Sequence, residues 1–190
     1  MPRWKPDARE RLVAAAIRLF SEQGYDATTV AQIAEAADLT RSTFFRHFGD
    51  KRDVLAAGQE SLSQLLREGV AAAPDDASPL TAVESGLLRA SEAMTPERRE
   101  MGPRLRAVIA ASAELRERDQ LKHVGLAAET ARALEERGIA PRTAALAAEI
   151  GLLAFKNAYA TWTDGDDSVS FADELCDELD ALRATLPDVG

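Results

Sequence analysis

Cysteine is nearly absent: Cys176 is the only one in 190 residues, so no internal disulfide can close. Histidine is almost as scarce. His47 and His123, with a single cysteine, cannot supply the four nitrogen and sulfur ligands of an ordinary zinc centre. No glycine-rich phosphate loop, nucleophile elbow or HExxH segment occurs, which argues against an enzyme. Convincing alternating strand runs are missing, as are fixed-period repeats and long low-complexity tracts. Long apolar runs are missing too. The most apolar stretch, Ala144 to Phe155, is interrupted by Glu149 and followed by Lys156, too short and too charged to span a bilayer. The first residues, Met1 to Arg11, hold no apolar core of the signal-peptide kind. These absences predict a soluble cytoplasmic protein with no metal, no catalytic site and no membrane partner.

What is present favours helix. Alanine is abundant, 46% of the chain is apolar, and Pro and Gly are sparse inside the periodic segments. The spacing predicts an all-α chain. Asp7 and Glu10 have the spacing of a helix cap. Leu12, Val13, Ala16, Ile17, Leu19 and Phe20 then give one inner face to a first helix that stops at Gly24.

The stretch from Thr28 to Lys51 holds the most specific pattern. Thr29 and Gln32 are spaced as a capping box, and Val30, Ile33, Ala34 and Ala37 follow at helical intervals. Residues 36–39 break the helix, where Asp38 tolerates the left-handed conformation of a tight turn. Thr40 caps a second short helix with Phe44 and Phe48 on its inward side. Arg41, Ser42, Thr43, Arg46 and His47 lie on its other side. Two short helices, the second rich in donors, suit the major groove of DNA. By itself the pattern also fits a surface helical hairpin that only packs.

Gly24, Tyr25, Thr28, Thr29, Val30, Ile33, Ala34 and Ala37, then Thr40, Thr43, His47, Phe48 and Lys51, resemble in order and spacing the N-terminal domain of the TetR family of transcriptional regulators. The resemblance covers about Arg9 to Leu55. Three positions depart from the commonest family pattern: Asp38 and Ser42 stand where Gly is common, and Phe45 where Tyr is, which removes one phosphate-binding hydroxyl. The resemblance implies a three-helix helix-turn-helix DNA-binding domain at 1–52. A connecting helix would join it to a C-terminal helical bundle at 53–190 that binds ligand and dimerises. It implies a ligand-responsive regulator, in the first place a repressor, bound as a homodimer to a palindromic operator in double-stranded DNA. Arg41, Thr43 and Arg46 would then approach base edges, with Gln32 reaching in from the preceding helix. Thr29, Thr40, Ser42, His47 and Lys51 would hold phosphates. Phe45 shares that DNA-facing helix but has no hydroxyl to offer. Arg3, Trp4 and Lys5 form a basic arm, either a fraying terminus or an arm for the minor groove.

Further along, Asp50 is placed to cap a fourth helix running to about Ala73, and residues 74–79 are the clearest break. Ser78-Pro79 and Thr95-Pro96 each open a helix with proline in its first turn, and Gly102-Pro103 predicts a kink or split in the second. Glu114 to Gly138 reads as a charged helix weakened at Gly125. Pro141 to Trp162 is apolar around much of its circumference, which places it centrally or at an interface. After an acidic, solvated turn at Asp166-Asp167, a last helix carries Phe171, Leu175, Leu179, Leu182 and Leu186. This pair predicts a dimer through helices near 141–162 and 170–186; full burial of both in a monomer is the alternative. Met94, Met101, Leu105, Phe155, Tyr159 and Trp162 are candidate walls of a pocket for an apolar small-molecule inducer, or else plain core. No cofactor is implied.

The net charge of −9 is unevenly spread: residues 1–55 sum to +1 and the remainder to −10. A weakly basic head on an acidic body limits non-specific DNA binding and excludes a purely electrostatic nucleoid protein. The competing class is a helical protein-interaction or ligand-binding module without DNA binding.

Overall fold

The computed structural model describes residues 7–165 and 168–188. The basic arm at residues 3–5 and the Asp166-Asp167 turn lie outside them. Among the described residues there are nine α-helices, two short 3₁₀ turns and no strand. None of these helices is long and apolar enough to cross a membrane. The chain divides into two compact units, one of residues 1–57 with 104–122, the other of 58–103 with 123–190.

The first unit opens with α1 (Ala8–Gln23), which starts where Asp7 accepts the Glu10 N–H at 2.9 Å. Two seven-residue helices follow, α2 (Val30–Ala36) and α3 (Arg41–His47). Leu12, Ala16, Phe20, Ile33, Phe44 and Val54 close the core between them. Val108 and Leu115 complete it. They come from α6 (Pro96–Ala111) and α7 (Ala113–Glu136), each of which contributes residues to both units. Three short helices leave too small a core to stand alone. This unit accordingly extends past the expected limit at residue 52 and takes in 104–122.

The fourth helix differs from expectation. Asp50 does not cap a continuous helix to Ala73. Its carboxylate accepts the Arg52 N–H at 2.8 Å and the Asp53 N–H at 3.2 Å, and it pairs with the Arg52 guanidinium at 2.7 Å. Asp53 reaches back to the Gly49 N–H at 3.1 Å. These bonds close a 3₁₀ turn, Arg52–Ala56, and Gly58 at φ 81° then breaks the path. Only past that left-handed residue does α4 (Gln59–Ala72) begin.

The second unit pairs α4 with α5 (Pro79–Ser91), capped by Ser78, which accepts the Thr81 N–H at 3.2 Å. At their crossing Gly69 and Gly86 meet: a Cβ on Gly69 would lie 2.6 Å from the Gly86 Cα. The guanidinium of Arg137 closes the end of α4, donating to the carbonyls of Val70 (3.2 Å), Ala73 (3.0 Å) and Pro74 (2.5 Å). Pro103 sits inside α6 without splitting it, and α7 runs unbroken through Gly125. In the second unit's core, α8 (Pro141–Asp164) buries Ala144, Ala147, Leu152 and Phe155. On α9 (Phe171–Thr185) the capping Ser170 accepts the Asp173 N–H at 3.1 Å. Its Leu175 and Leu179 are fully buried in that core.

Candidate nucleic-acid interface

The region between α1 and the 3₁₀ turn is built from interlocking caps. Thr29 Oγ1 accepts the Gln32 N–H at 3.3 Å, and Gln32 Oε1 accepts the Thr29 N–H at 2.8 Å. That reciprocal box starts α2. Its end is a Schellman turn: Leu39 N–H donates to Ala34 O at 2.8 Å and Asp38 N–H to Glu35 O at 3.0 Å. Asp38 takes the left-handed position at φ 53°. Leu39 packs on the core of the unit and Thr40 begins α3, accepting the Thr43 N–H at 3.1 Å. Phe44 and Phe48 anchor α3 to the core, their rings 5.4 Å apart. The opposite side of α3 faces solvent, with Arg41, Ser42, Phe45 and Arg46 all exposed.

The candidate residues divide by what they already bind. Arg41, Ser42 and Arg46 make no side-chain hydrogen bond or ion pair among the described residues, so their donors are available. Thr40 and Thr43 hydroxyls bond each other at 3.0 Å. Gln32 Oε1 is held by Thr29 and by Gln23 Nε2 at 3.4 Å. His47 is half-buried, and its Nε2 is shielded from solvent with no partner.

Lys51 faces inward. Its ammonium donates to the carbonyls of Tyr25 (2.6 Å), Thr28 (3.0 Å) and Asp26 (3.4 Å), and lies 4.0 Å from the Tyr25 ring centroid. Only the short 3₁₀ turn starts after Lys51, and the N–H groups of Arg52 and Asp53 at its start are taken by Asp50, so Lys51 pins the loop that leads into α2. Thr28 is buried in the same loop and donates to Gly24 O at 2.7 Å, while accepting from Gln23 Nε2 at 3.1 Å. Burial and a hydrogen bond to Glu114 push the Tyr25 phenol up, so it stays protonated. The Arg52 guanidinium holds the Asp50 carboxyl below its usual range. Sequence reasoning missed the supporting parts played by Gln23, Thr28 and Asp53; a polar residue that is buried by distant contacts leaves no local periodic signal.

Of the six candidate pocket residues, Phe155, Tyr159 and Trp162 are brought together. They ring Phe171, with centroids 5.1, 6.4 and 5.3 Å from it. Arg99 lies 5.3 Å over the Trp162 ring. Met94 packs against the core of that same unit, and Met101 is half-buried on α6. Leu105 belongs to the first unit, against the core of Val108 and Leu115.

Three short helices, the last presenting free donors on a rigid, capped frame, define a helix-turn-helix domain of the DNA-binding class. The family of bacterial regulatory proteins called tetR matches residues 12–57, the segment that holds most of α1 and all of α2, α3 and the 3₁₀ turn. It is 39% identical over 82 residues to the HTH-type transcriptional regulator TcmR of Streptomyces glaucescens, which is 43% of this chain and 36% of that one. The match thus spans little more than a third of that relative. The fold is shared over nearly the full length with two solved structures. The fatty acid degradation regulator FadR of Bacillus halodurans has a TM-score of 0.57 at 17% identity, with 95% of this chain and 96% of that one covered. FadR of Thermus thermophilus, a TetR-family transcriptional repressor solved with lauroyl-CoA, has a TM-score of 0.52 at 23% identity, covering 92% and 93%.

Proposed function

We propose that this chain is a sequence-specific, dimeric transcriptional regulator whose grip on an operator is released by a small molecule. The observation that carries the reading is the outer side of α3: Arg41, Ser42 and Arg46 stand exposed and unpaired on a helix held rigid by caps at both ends of the turn. Unpaired arginines on such a helix are poised to fork onto guanine O6 and N7. Thr43 and Gln32 supply shorter reach, and Ser42, Thr29, Thr40 and His47 set the register on phosphates. Lys51 acts behind this surface, as a positioning residue for the loop before α2.

The dimer is proposed through α8. One side of α8 is buried, yet Leu146 is 62% and Leu153 46% exposed. Ile150 lies half-buried between them. The 146, 150, 153 spacing is the seam of an antiparallel or parallel helix pair, and a second copy is the occupant that twofold symmetry supplies. A twofold dimer sets two α3 helices for half-sites about 34–36 Å apart or more. The lauroyl-CoA bound by a fold relative supports an apolar effector, taken near the aromatic cluster around Phe171. Such an effector acts by binding one spacing of the two heads better than the other.

The test is selection of random duplex DNA by the purified chain, then titration of the selected operator. A palindromic motif is the expected result. Arg41→Ala then loses roughly 5- to 150-fold in affinity, the equivalent of about 1–3 kcal/mol for one bidentate base contact, with its unfolding curve unchanged. A folded dimer that enriches no sequence returns the weight to an interaction module without DNA binding.

A further inference from the structure

We propose that Phe45 reads a thymine of the operator through that base's 5-methyl group; the inference rests on the DNA-binding reading above. Phe44 and Phe48 are buried beneath α3, but Phe45 is 51% exposed. Its ring stands edge-on against Phe44, with centroids 5.6 Å apart and planes at 85°. Holding half of a phenyl ring in water forgoes apolar burial, and nothing in the packing of the unit requires it, since two phenylalanines already anchor the helix. Phe45 follows Arg41 by four residues, so the two share one side of the helix. A phenyl group has neither donor nor acceptor and gains nothing from a phosphate oxygen or a polar base edge. In the major groove the apolar feature of the base pairs is the thymine methyl, and Phe is among the side chains that suit it. One helical turn advances about 5.4 Å against about 3.4 Å per base step, so the thymine falls one or two base pairs from the guanine taken by Arg41.

The experiment uses the full chain and its selected operator, with each thymine of a half-site replaced in turn by deoxyuridine. That exchange keeps the base pair and removes only the methyl. One position, repeated symmetrically in both half-sites, is expected to cost the native chain about fourfold in affinity per half-site, the worth of one buried methyl. Phe45→Ala is expected to bind the thymine and deoxyuridine operators equally, and Phe45→Leu to keep part of the difference. An operator without thymine near that guanine overturns the proposal, and so does a native chain indifferent to every replacement. If Phe45→Ala then weakens binding to all sequences alike, the ring lies against a deoxyribose instead. Absence of any selected sequence overturns the DNA-binding reading and this one with it, whereas a selected operator without methyl dependence overturns this one alone. The deoxyuridine series on the native chain needs no variant to fold.

Discussion

Arg41 and Lys51 carry the same charge ten residues apart, yet their surroundings give them different work. Arg41 has no side-chain partner among the described residues, while the three N–H donors of Lys51 are aimed at three carbonyls of the Tyr25–Thr28 loop. Lys51→Ala should therefore act through stability. Leaving those carbonyls without their charged donor costs about 1–3 kcal/mol, or roughly 2–4 °C of melting temperature per kcal/mol in a chain of this size. Operator affinity should fall in step with the loosened loop. Thermal unfolding beside operator titration checks this: weakened binding with an unchanged melting temperature would put the ammonium on a phosphate instead. The difference between the two cations was not legible in the sequence. Both sit in a recognisable motif, and only the fold shows that the carbonyls of residues 25–28 converge 23 to 26 positions upstream of Lys51.

At the scale of the element, the best-read features were those with local causes. The Thr29–Gln32 box, the left-handed Asp38, the Thr40 cap and the proline-led starts of α5, α6 and α8 each depend on residues within a few positions. The poorly read feature was the start of α4. There the apolar spacing runs on from Val54 to Val70, but Asp50 and Asp53 spend their carboxylates inside one short turn and Gly58 interrupts the path. Helix contact distance was equally hidden. A Cβ on Gly86 would stand 2.8 Å from Leu66 O and 2.9 Å from Val70 Cγ2, so α5 approaches the backbone of α4 at a point where only glycine fits. Gly86→Ala should overpack this crossing and cost about 1–3 kcal/mol, although alanine is the better helix former by about 1 kcal/mol. Chemical denaturation decides the sign: a variant more stable than the native chain would mean that α4 and α5 separate freely, and the tight crossing would be no constraint.

At the scale of the whole molecule, charge and apolar surface are sorted by unit. The first unit has 14 Lys and Arg against 11 Asp and Glu, a net +3; the second has 9 against 21, a net −12. The split is sharper than the one drawn at residue 55, because residues 104–122 bring further cations to the unit that holds α3. On the DNA-binding reading proposed above, the acidic unit would repel DNA within a Debye length of about 8 Å, which would leave attraction to the head alone. The sequence located α8 as a helix too apolar for a lone surface, and the structure divides its circumference: an alanine-rich buried side and a leucine side open to solvent. The leucines of α9 expected to reach a partner are not all available, since Leu175 and Leu179 are spent inside the chain. Dimerisation should then hang on Leu146 and Leu153, whose burial on a second copy would return on the order of 1–2 kcal/mol each. The double substitution Leu146→Glu with Leu153→Glu should yield a folded monomer by analytical ultracentrifugation, with native helicity because neither side chain fills the core. Its affinity for a palindromic operator should drop by two orders of magnitude or more, as the effective concentration that joins two half-sites is lost. Its affinity for a single half-site should match that of the native chain. A double variant that still sediments as a dimer would move the interface off this side of α8, and the spacing of the two recognition helices would have to be drawn from another surface.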